Sequence, residues 1–179
     1  MFLNKMPNIE IKAKYADANK AKAIADKLKT KYLGTDHQID TYFKTSGGRF
    51  KLRESSLSGA QLVPYIRPDL AGPKKSDHLV IPVADANLCK SLLSQILGVE
   101  VVVDKMREIF LIGNVRVHID SVKNLGSFLE FEAVYQNLND EKQEYEKVEL
   151  LIKKFEIRPE DLLTGSYRDM VCTRNGKKS

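Results

Sequence analysis

Residues 8–15 read NIEIKAKY, and this stretch alternates strictly between two kinds of side chain. The odd-numbered positions are apolar or aromatic, whereas the even-numbered positions are Asn8, Glu10, Lys12 and Lys14. Because successive side chains of a β-strand point to opposite faces, the stretch predicts a strand with one apolar face and one charged face. The fold of the chain depends on where that charged face points.

Four later stretches repeat this alternation. They are GRFKLRE (48–54), VDKMRE (103–108), NVRVHID (114–120) and FLEFEA (128–133). A sheet with one face in water would explain each strand taken alone. However, solvated faces usually mix neutral polar residues with charged ones, and here the polar positions are almost all charged. The acids lie mainly on the first and last of these strands, and the bases lie on the strands between.

A curled sheet would bring these charged faces together. Like charges a few ångströms apart in a partly dry space repel each other by roughly several kcal/mol. A polyphosphate would neutralise the bases, and Mg²⁺ would suit the acids because it takes carboxylate and phosphate oxygens as ligands. The pattern therefore predicts a metal–triphosphate complex inside a polar barrel.

Three amphipathic helices would cover the apolar outer face of such a barrel. Asp17 and Asp85 are candidate N-caps for the first two helices, and the third is expected within residues 140–157. The first helix is expected to stop at Gly34, and Leu88, Leu92 and Ile96 form the predicted apolar stripe of the second. About eight strands joined by short hairpins predict an α+β fold with a mainly antiparallel sheet.

The bulk properties set broad limits. The 179 residues fit a single domain over residues 1–179, and the net charge of +5 suits an anionic ligand. Two widely spaced cysteines suggest reduced thiols and a cytoplasmic location. Neither a secretory signal nor an apolar run of membrane-spanning length is evident in the sequence, so no membrane partner is expected.

Several segments in a fixed order resemble the CYTH superfamily of triphosphate tunnel enzymes, and most closely its bacterial class IV adenylyl cyclase-like branch. They are IEIKAK (9–14), DTYF (40–43), GRFKLRE (48–54), YIRPD (65–69), GPKKSD (72–77), DKMREIF (104–110), VRVHIDSVKNLGSFLEFE (115–132) and SYRDM (166–170). The resemblance implies an eight-stranded antiparallel β-barrel with a charged interior, helices packed outside it, and Mg²⁺ or Mn²⁺ as cofactor. It covers a core of about residues 7–171 and leaves 172–179 as a flexible tail.

The resemblance also implies roles for individual residues. The implied metal ligands are Glu10, Asp120, Glu130 and Glu132, and the implied catalytic residues are Glu10, Lys12, Arg53 and Arg116. The implied substrate-binding residues are Asn8, Lys14, Arg49, Lys51, Arg67, Lys105 and Arg107. Arginine suits bidentate phosphate binding, whereas lysine acts as a point charge.

Two residues depart from the family pattern. Asn8 stands where the family's Glu-x-Glu-x-Lys motif has its first glutamate, so one carboxylate is lost, although an amide oxygen can still accept a hydrogen bond or approach a metal. Lys51 stands where the family commonly has arginine. Metal affinity, rate or substrate choice is therefore expected to differ from the family norm.

Three functions remain open at this point. The favoured one is a cyclase that converts ATP to cyclic AMP and pyrophosphate. The second is a phosphohydrolase acting on tripolyphosphate, thiamine triphosphate or a nucleoside triphosphate, and the third is a non-catalytic binder of nucleotide or polyphosphate. Nucleic acid is not an expected partner, because the aromatic residues alternate with the charges and face away from them. By resemblance, a homodimer would not be surprising.

Four smaller predictions concern residues beside these motifs. His118 is interpreted as a hydrogen-bonded barrel residue and Tyr65 as a packing residue, with contact to the substrate as the alternative for each. Residues 74–76 form either a loop that closes over the ligand or a solvated loop. By resemblance, Tyr167 and Arg168 plug one end of the tunnel.

Overall fold

The computed structural model describes residues 8–66, 74–135 and 140–176. The strands of this part of the chain are β1 (Asn8–Lys14), β2 (Lys31–Phe43), β3 (Arg49–Ser55), β4 (Gly59–Ile66), β5 (Lys74–His78), β6 (Ile81–Val83), β7 (Val99–Ile112), β8 (Val115–Val122) and β9 (Gly126–Val134). The α-helices are α1 (Ala18–Leu28), α2 (Ala86–Leu97), α3 (Glu141–Lys154) and α4 (Tyr167–Gly176), and a short 3-10 turn spans Pro159–Asp161.

Eight of these strands pair in a ring. The order β3-β2-β7-β8-β9-β1-β5-β4 is completed by a further pairing between β3 and β4, and the ladders are antiparallel. The β4–β5 ladder is short, with only Tyr65 opposite His78 and Ile66 opposite Asp77. Farther along β4, β6 takes the place of β5. The predicted α+β fold with an eight-stranded antiparallel barrel is confirmed.

Strand register places the charged positions on one face. Glu132 of β9 lies opposite Glu10 of β1 on one side and Arg116 of β8 on the other. Glu130 lies in the same way between Lys12 and His118. Because directly opposite residues of an antiparallel pair share a face, the charged faces of β1, β8 and β9 point the same way.

The main hydrophobic core lies on the other face of these strands. Ile9, Ile11 and Phe131 are fully buried there against α1 and α3. The rings of Phe131 and Phe155, which follows α3, lie 5.1 Å apart between centroids. Burial of apolar side chains of this size contributes about 1.5–3 kcal/mol each. The apolar set of the NIEIKAKY alternation thus faces outward into the helices, and the charged set faces into the barrel.

A smaller apolar cluster closes the barrel at one end. Val101 and Val103 lie on the same face of β7 as Lys105, and they pack with Phe128 of β9 and Tyr167 of α4. The rings of Phe128 and Tyr167 lie 5.0 Å apart. Tyr167 therefore plugs this end of the barrel from inside, whereas Arg168 points elsewhere and pairs with Glu100.

Helix α1 begins as predicted and ends earlier. The Asp17 side chain accepts a hydrogen bond from the Lys20 amide at 2.9 Å, which confirms it as the N-cap. The helix ends at Leu28 instead of continuing to Gly34, because the following residues join β2. There the ring of Tyr32 packs 4.9 Å from that of Phe110 on β7, so tertiary packing overrides the helical pattern.

Helix α2 presents a different face to the barrel than the sequence predicts. Asp85 caps its first turn at Leu88, as predicted. However, Leu88, Leu92 and Ile96 are 57, 49 and 72% exposed. A second apolar stripe, one residue along at Cys89, Leu93 and Leu97, is the half-buried one. The helix carries two overlapping apolar stripes, and its contacts with β2 and β3 select the second.

Helix α4 extends to Gly176, so residues 172–176 are helical. No helix of the described residues is both long and apolar enough to cross a membrane.

Candidate functional site

The inward faces of the strands surround a cavity of about 690 Å³. This volume falls in the usual range of about 300–1,000 Å³ for small-molecule sites. Its lining includes the predicted site residues Asn8, Glu10, Lys12, Lys51, Arg53, Lys105, Arg107, Arg116, Glu130 and Glu132. Ionisable side chains of five strands, β1, β3, β7, β8 and β9, therefore converge on one cavity.

Three predicted site residues of the described part of the chain are not part of this lining. Lys14 is exposed at the C-terminal end of β1. Arg49 donates to Asp169 of α4 at 2.9 Å and serves to fasten that helix. Asp120 is fully buried on the same face of β8 as His118, in contact with Arg107 and Tyr167. Arg67 lies outside the described residues, as do the side chains of residues 74–77.

Asp40 of β2, which the sequence prediction missed, is the counter-ion of three predicted phosphate contacts. It is 2% exposed. It accepts from Arg53 at 2.7 and 2.8 Å, from Lys51 at 2.8 Å and from Lys105 at 3.1 Å. Burial alone would raise the pKa of Asp40, but the charges of Arg53, Lys105 and Lys51 hold it well below its usual range. The cations thus have a built-in partner, which the expectation of an unneutralised lining overlooked.

A second buried carboxylate, Asp36, lies farther along the same face of β2 and makes only neutral contacts. It accepts hydrogen bonds from Gln38 and Ser55 at 2.7 and 2.8 Å, and others from Ser56 and the Leu57 amide. These bonds fix the turn between β3 and β4. Asp36 therefore anchors the barrel rim, whereas Asp40 organises the basic lining.

Asp120, predicted as a metal ligand, is instead held by Arg107 and Tyr167. Arg107 donates to both of its oxygens at 2.7 Å, and the Tyr167 hydroxyl donates to Oδ2 at 2.7 Å. Burial would raise the pKa of Asp120, but the Arg107 guanidinium lowers it far below its usual range. With both oxygens engaged, Asp120 positions Arg107 and supports the plug of the barrel.

Replacement of Tyr167 by phenylalanine tests that support. We expect Tyr167→Phe to lower the free energy of unfolding by about 1.5–3 kcal/mol, because a buried carboxylate loses a donor. The matched control is Tyr15→Phe, which removes a hydroxyl that donates to the neutral carbonyl of Phe155 at 2.9 Å and should cost about 0.5–1.5 kcal/mol. Chemical denaturation of the three proteins measures the difference, and an equal loss in the two variants would contradict the role of the charge.

Lys12 and Glu130 form the centre of the acidic side of the cavity. The Lys12 ammonium donates to Glu130 and lies 4.0 Å from the centroid of the Tyr167 ring. Arg107 donates to the other oxygen of Glu130 at 3.1 Å. His118 Nδ1 lies 3.4 Å from that same oxygen. The motif lysine thus contacts a carboxylate of the last strand directly, a pairing that was not predicted from the sequence.

A candidate cation site is formed by His118, Glu130 and Glu132. Their ligand atoms all lie within 4.8 Å of one another. Burial, then the charge of Arg107, lowers the pKa of His118 to about 3. Burial would raise the pKa of Glu132, but the neighbouring basic groups, His118 first and then Arg107, lower it to about 2. A neutral imidazole and ionised carboxylates are the forms that bind metals, so these residues fit a divalent cation.

Burial also shifts the two lysines that face Asp40. Burial lowers the pKa of Lys105 to about 8, with Asp40 opposing and the charges of Arg53 and Arg107 adding to the shift. Burial and the charge of Arg53 hold the pKa of Lys51 well below its usual range, against the effect of Asp40. A bound anion would favour the charged forms, so anion binding should draw protons onto these lysines.

Lys105 predicts a pH dependence of anion affinity. Its pKa of about 8 in the free protein means that the charged form becomes rarer as the pH rises through that value. We expect the affinity for inorganic tripolyphosphate to fall above about pH 8, by up to about tenfold per pH unit. Lys105→Arg stays charged and should flatten the profile. Calorimetry measures the affinity of both proteins across the pH range, and the ratio of the two affinities removes the contribution of the ligand's own protonation. Identical pH profiles for the two proteins would show that Lys105 does not cause the pH dependence.

The CYTH domain profile matches residues 6–167. The chain therefore belongs to the CYTH family, which confirms the resemblance drawn from its motifs. A curated protein of Methanocaldococcus jannaschii, provisionally named an adenylate cyclase, is 26% identical over 172 residues, which are 92% of this chain and 98% of that protein.

Solved structures share the fold at lower identity. A protein from Pyrococcus horikoshii superposes with a TM-score of 0.75 at 23% identity, covering 90% of this chain and 98% of its own. A protein from Hippeastrum, provisionally named an adenylyl cyclase and described as having a dominant triphosphatase activity, gives a TM-score of 0.58 at 14% identity and covers 96% of each chain. These likenesses extend over nearly the whole chain and show the barrel fold.

Proposed function

We propose that this chain is a metal-dependent enzyme that acts on a nucleoside triphosphate inside its barrel, with conversion of ATP to cyclic AMP and pyrophosphate as the favoured reaction. The observation that carries the proposal is the convergence of basic side chains from four strands on one cavity. These are Lys12, Lys51, Arg53, Lys105, Arg107 and Arg116. These cations, together with a divalent ion on the acidic side of the cavity, would offset the charge of a triphosphate chain.

The rim of the cavity supports an organic triphosphate as the substrate. Strand register places Leu33 of β2, Ile109 of β7 and Val134 of β9 at the end away from the plug formed by Tyr167, and all three line the cavity. An inorganic polyphosphate has no group to cover such apolar side chains. A nucleoside attached to the triphosphate would contact them, while its phosphates lie deeper among the bases.

The proposed chemistry depends on charge stabilisation by fixed side chains. Arg53, Lys105 and Arg107 are held in place by carboxylates before any ligand arrives, so they need little reorganisation to stabilise charge that develops on phosphate oxygens. A bound divalent cation would supply further neutralisation of those oxygens. In the cyclase reaction the ribose 3′-hydroxyl attacks the α-phosphorus, and pyrophosphate leaves.

The second candidate is a triphosphate phosphohydrolase. It would use the same lining, with water in place of the ribose hydroxyl as the attacking group. The dominant triphosphatase activity of the Hippeastrum relative, which also carries a cyclase name, favours keeping this candidate. The loss of a motif carboxylate at Asn8 bears on both reactions, because it changes the acidic wall that both would use. A non-catalytic binding role is the third candidate.

Product analysis separates the three candidates. The purified protein is incubated with ATP, tripolyphosphate or thiamine triphosphate, each with Mg²⁺ or Mn²⁺, and the products are followed by ³¹P NMR and chromatography. Cyclic AMP with pyrophosphate is the expected result. Release of orthophosphate would show that the protein is a phosphohydrolase and not a cyclase. Tight binding of the triphosphate without turnover would show that it only binds its ligand. The cytoplasmic location and the homodimer remain predictions.

A further inference from the structure

An imidazole lies among the carboxylates of the cavity. We propose that His118, Glu130 and Glu132 form a mixed nitrogen–oxygen site that binds transition ions such as Co²⁺ more tightly than Mg²⁺, with His118 responsible for the preference. This inference rests on the proposed function, because it concerns the cation that would bind in the same cavity. Its test, however, requires no turnover. Neither the family resemblance nor the charged motifs assign a metal-binding role to His118.

The strand register brings the three proposed metal ligands close together. His118 of β8 lies directly opposite Glu130 of β9, and Glu132 is the next residue of β9 on the same face. Their ligand atoms lie within 4.8 Å of one another. Ligand distances of about 2.0–2.2 Å from an ion place two ligands up to about 4.4 Å apart. Small rotations of these side chains would therefore be enough to bind an ion.

Asn8 provides a second, independent observation. Its side chain is 3% exposed and lines the same cavity. Its Oδ1 atom is buried without a hydrogen-bond partner among the described residues. A buried oxygen without a partner destabilises the fold, because it has lost its hydrogen bonds to water. Asn8 lies opposite Val134, which is two residues from Glu132 on the same face of β9, so this oxygen belongs to the same wall of the cavity as the three ligands.

The surroundings of the site disfavour an ion held by charge alone. Arg107 and Lys12 both contact Glu130 and would repel an incoming dication. Asp120, the additional oxygen ligand predicted from the sequence, is engaged by Arg107 and Tyr167. Mg²⁺ prefers six oxygen ligands in a strict octahedron, whereas imidazole suits later transition ions. With few oxygen ligands available, the nitrogen of His118 should decide which metal ion the site binds.

Cobalt titration tests the inference directly. The protein is titrated with Co²⁺ while its visible absorption is followed, and Mg²⁺ affinity is measured by calorimetry. We expect Co²⁺ to bind at least about tenfold more tightly than Mg²⁺. His118→Gln should weaken Co²⁺ binding by about tenfold or more, while the Mg²⁺ affinity changes far less. The control is His37→Gln, because the side chain of His37 is 47% exposed and pairs with Asp104.

Other results of these titrations would also decide whether the His118 site exists. Absence of Co²⁺ binding by the unmodified chain, or equal losses of Co²⁺ and Mg²⁺ affinity in His118→Gln, would overturn the inference. If His118→Gln does not fold, a chain with both His37→Gln and His78→Gln retains His118 as its one histidine. Pulsed EPR of Cu²⁺ bound to that chain should show an imidazole nitrogen, and its absence would reject the site. A protein that binds Co²⁺ in this way but turns over no triphosphate would refute the proposed function and leave the site standing.

Discussion

Asp40→Asn should lower the free energy of unfolding by about 3–5 kcal/mol, since removal of one partner of a buried ion pair leaves uncompensated charge. The carboxylate of Asp40 is the shared acceptor of Lys51, Arg53 and Lys105. For a chain of this length, the loss corresponds to a decrease of roughly 6–20 °C in the melting temperature. Thermal unfolding followed by circular dichroism measures it.

The same variant should respond unusually to anions. Without the carboxylate, the three cations repel one another until phosphate oxygens neutralise them. Tripolyphosphate should therefore raise the melting temperature of Asp40→Asn by more than it raises that of the unmodified protein. Asp36→Asn is the matched control, because Asp36 is equally buried on the same strand but accepts hydrogen bonds from neutral donors. Equal shifts for the two variants would show that Asp40 is an ordinary structural carboxylate.

Glu132→Gln should reduce metal-dependent turnover by roughly 30- to 1,000-fold, the equivalent of about 2–4 kcal/mol of barrier. Glu132 lines the cavity, belongs to the candidate cation site and lies 4.0 Å from Arg116. Glutamine keeps the volume of the side chain and removes its charge. We expect the loss of activity to be far larger than the loss of stability, because within the described part of the chain the side chain of Glu132 makes one long ion pair, to Arg116. Steady-state rates and melting curves of the variant provide the comparison.

Glu108→Gln is the control for that variant. Glu108 lies on the outer face of β7 and pairs with Lys22 of α1 at 2.8 Å. Removal of its charge should leave turnover unchanged, since surface ion pairs contribute only about 0–1 kcal/mol to stability. Rates of the unmodified protein in Glu132→Gln would remove Glu132 from the mechanism.

The barrel could be predicted because its strands carry a strong pattern with a period of two. In NIEIKAKY the even-numbered residues are polar or charged, and in FLEFEA Glu130 and Glu132 alternate with apolar residues, so the pattern indicates which residues of β1 and β9 share the inward face. The convergence of Glu10, Lys12, Glu130 and Glu132 on one cavity agrees with that pattern. Local alternation thus predicted which side chains line the interior.

The acidic partners of the bases were missed for a physical reason. On β2 the inward positions Asp36, Gln38 and Asp40 alternate with Thr35, His37 and Ile39, so both faces contain polar residues and the period is weak. The role of Asp40 depends on β3 and β7, which are distant in sequence and carry Arg53 and Lys105. Such pairings between strands are not visible in any single stretch.

Tertiary contacts also explain why helices α1 and α2 differ from their sequence-based predictions. Helix α1 ends at Leu28 because Tyr32 packs on β7 as part of a strand. Helix α2 has apolar residues on two neighbouring stripes, and periodicity alone could not select the one at Leu93 over the one at Leu92. In both helices the N-caps Asp17 and Asp85 were predictable, because capping depends only on residues nearby in sequence.

A crystal structure of the protein soaked with tripolyphosphate and Mn²⁺ would show directly where a triphosphate binds. We expect phosphate density inside the barrel, in contact with Arg53, Lys105 and Arg107, and an anomalous manganese signal beside Glu130 and Glu132. Phosphates bound only on the outer surface, with the cavity filled by water, would contradict this expectation.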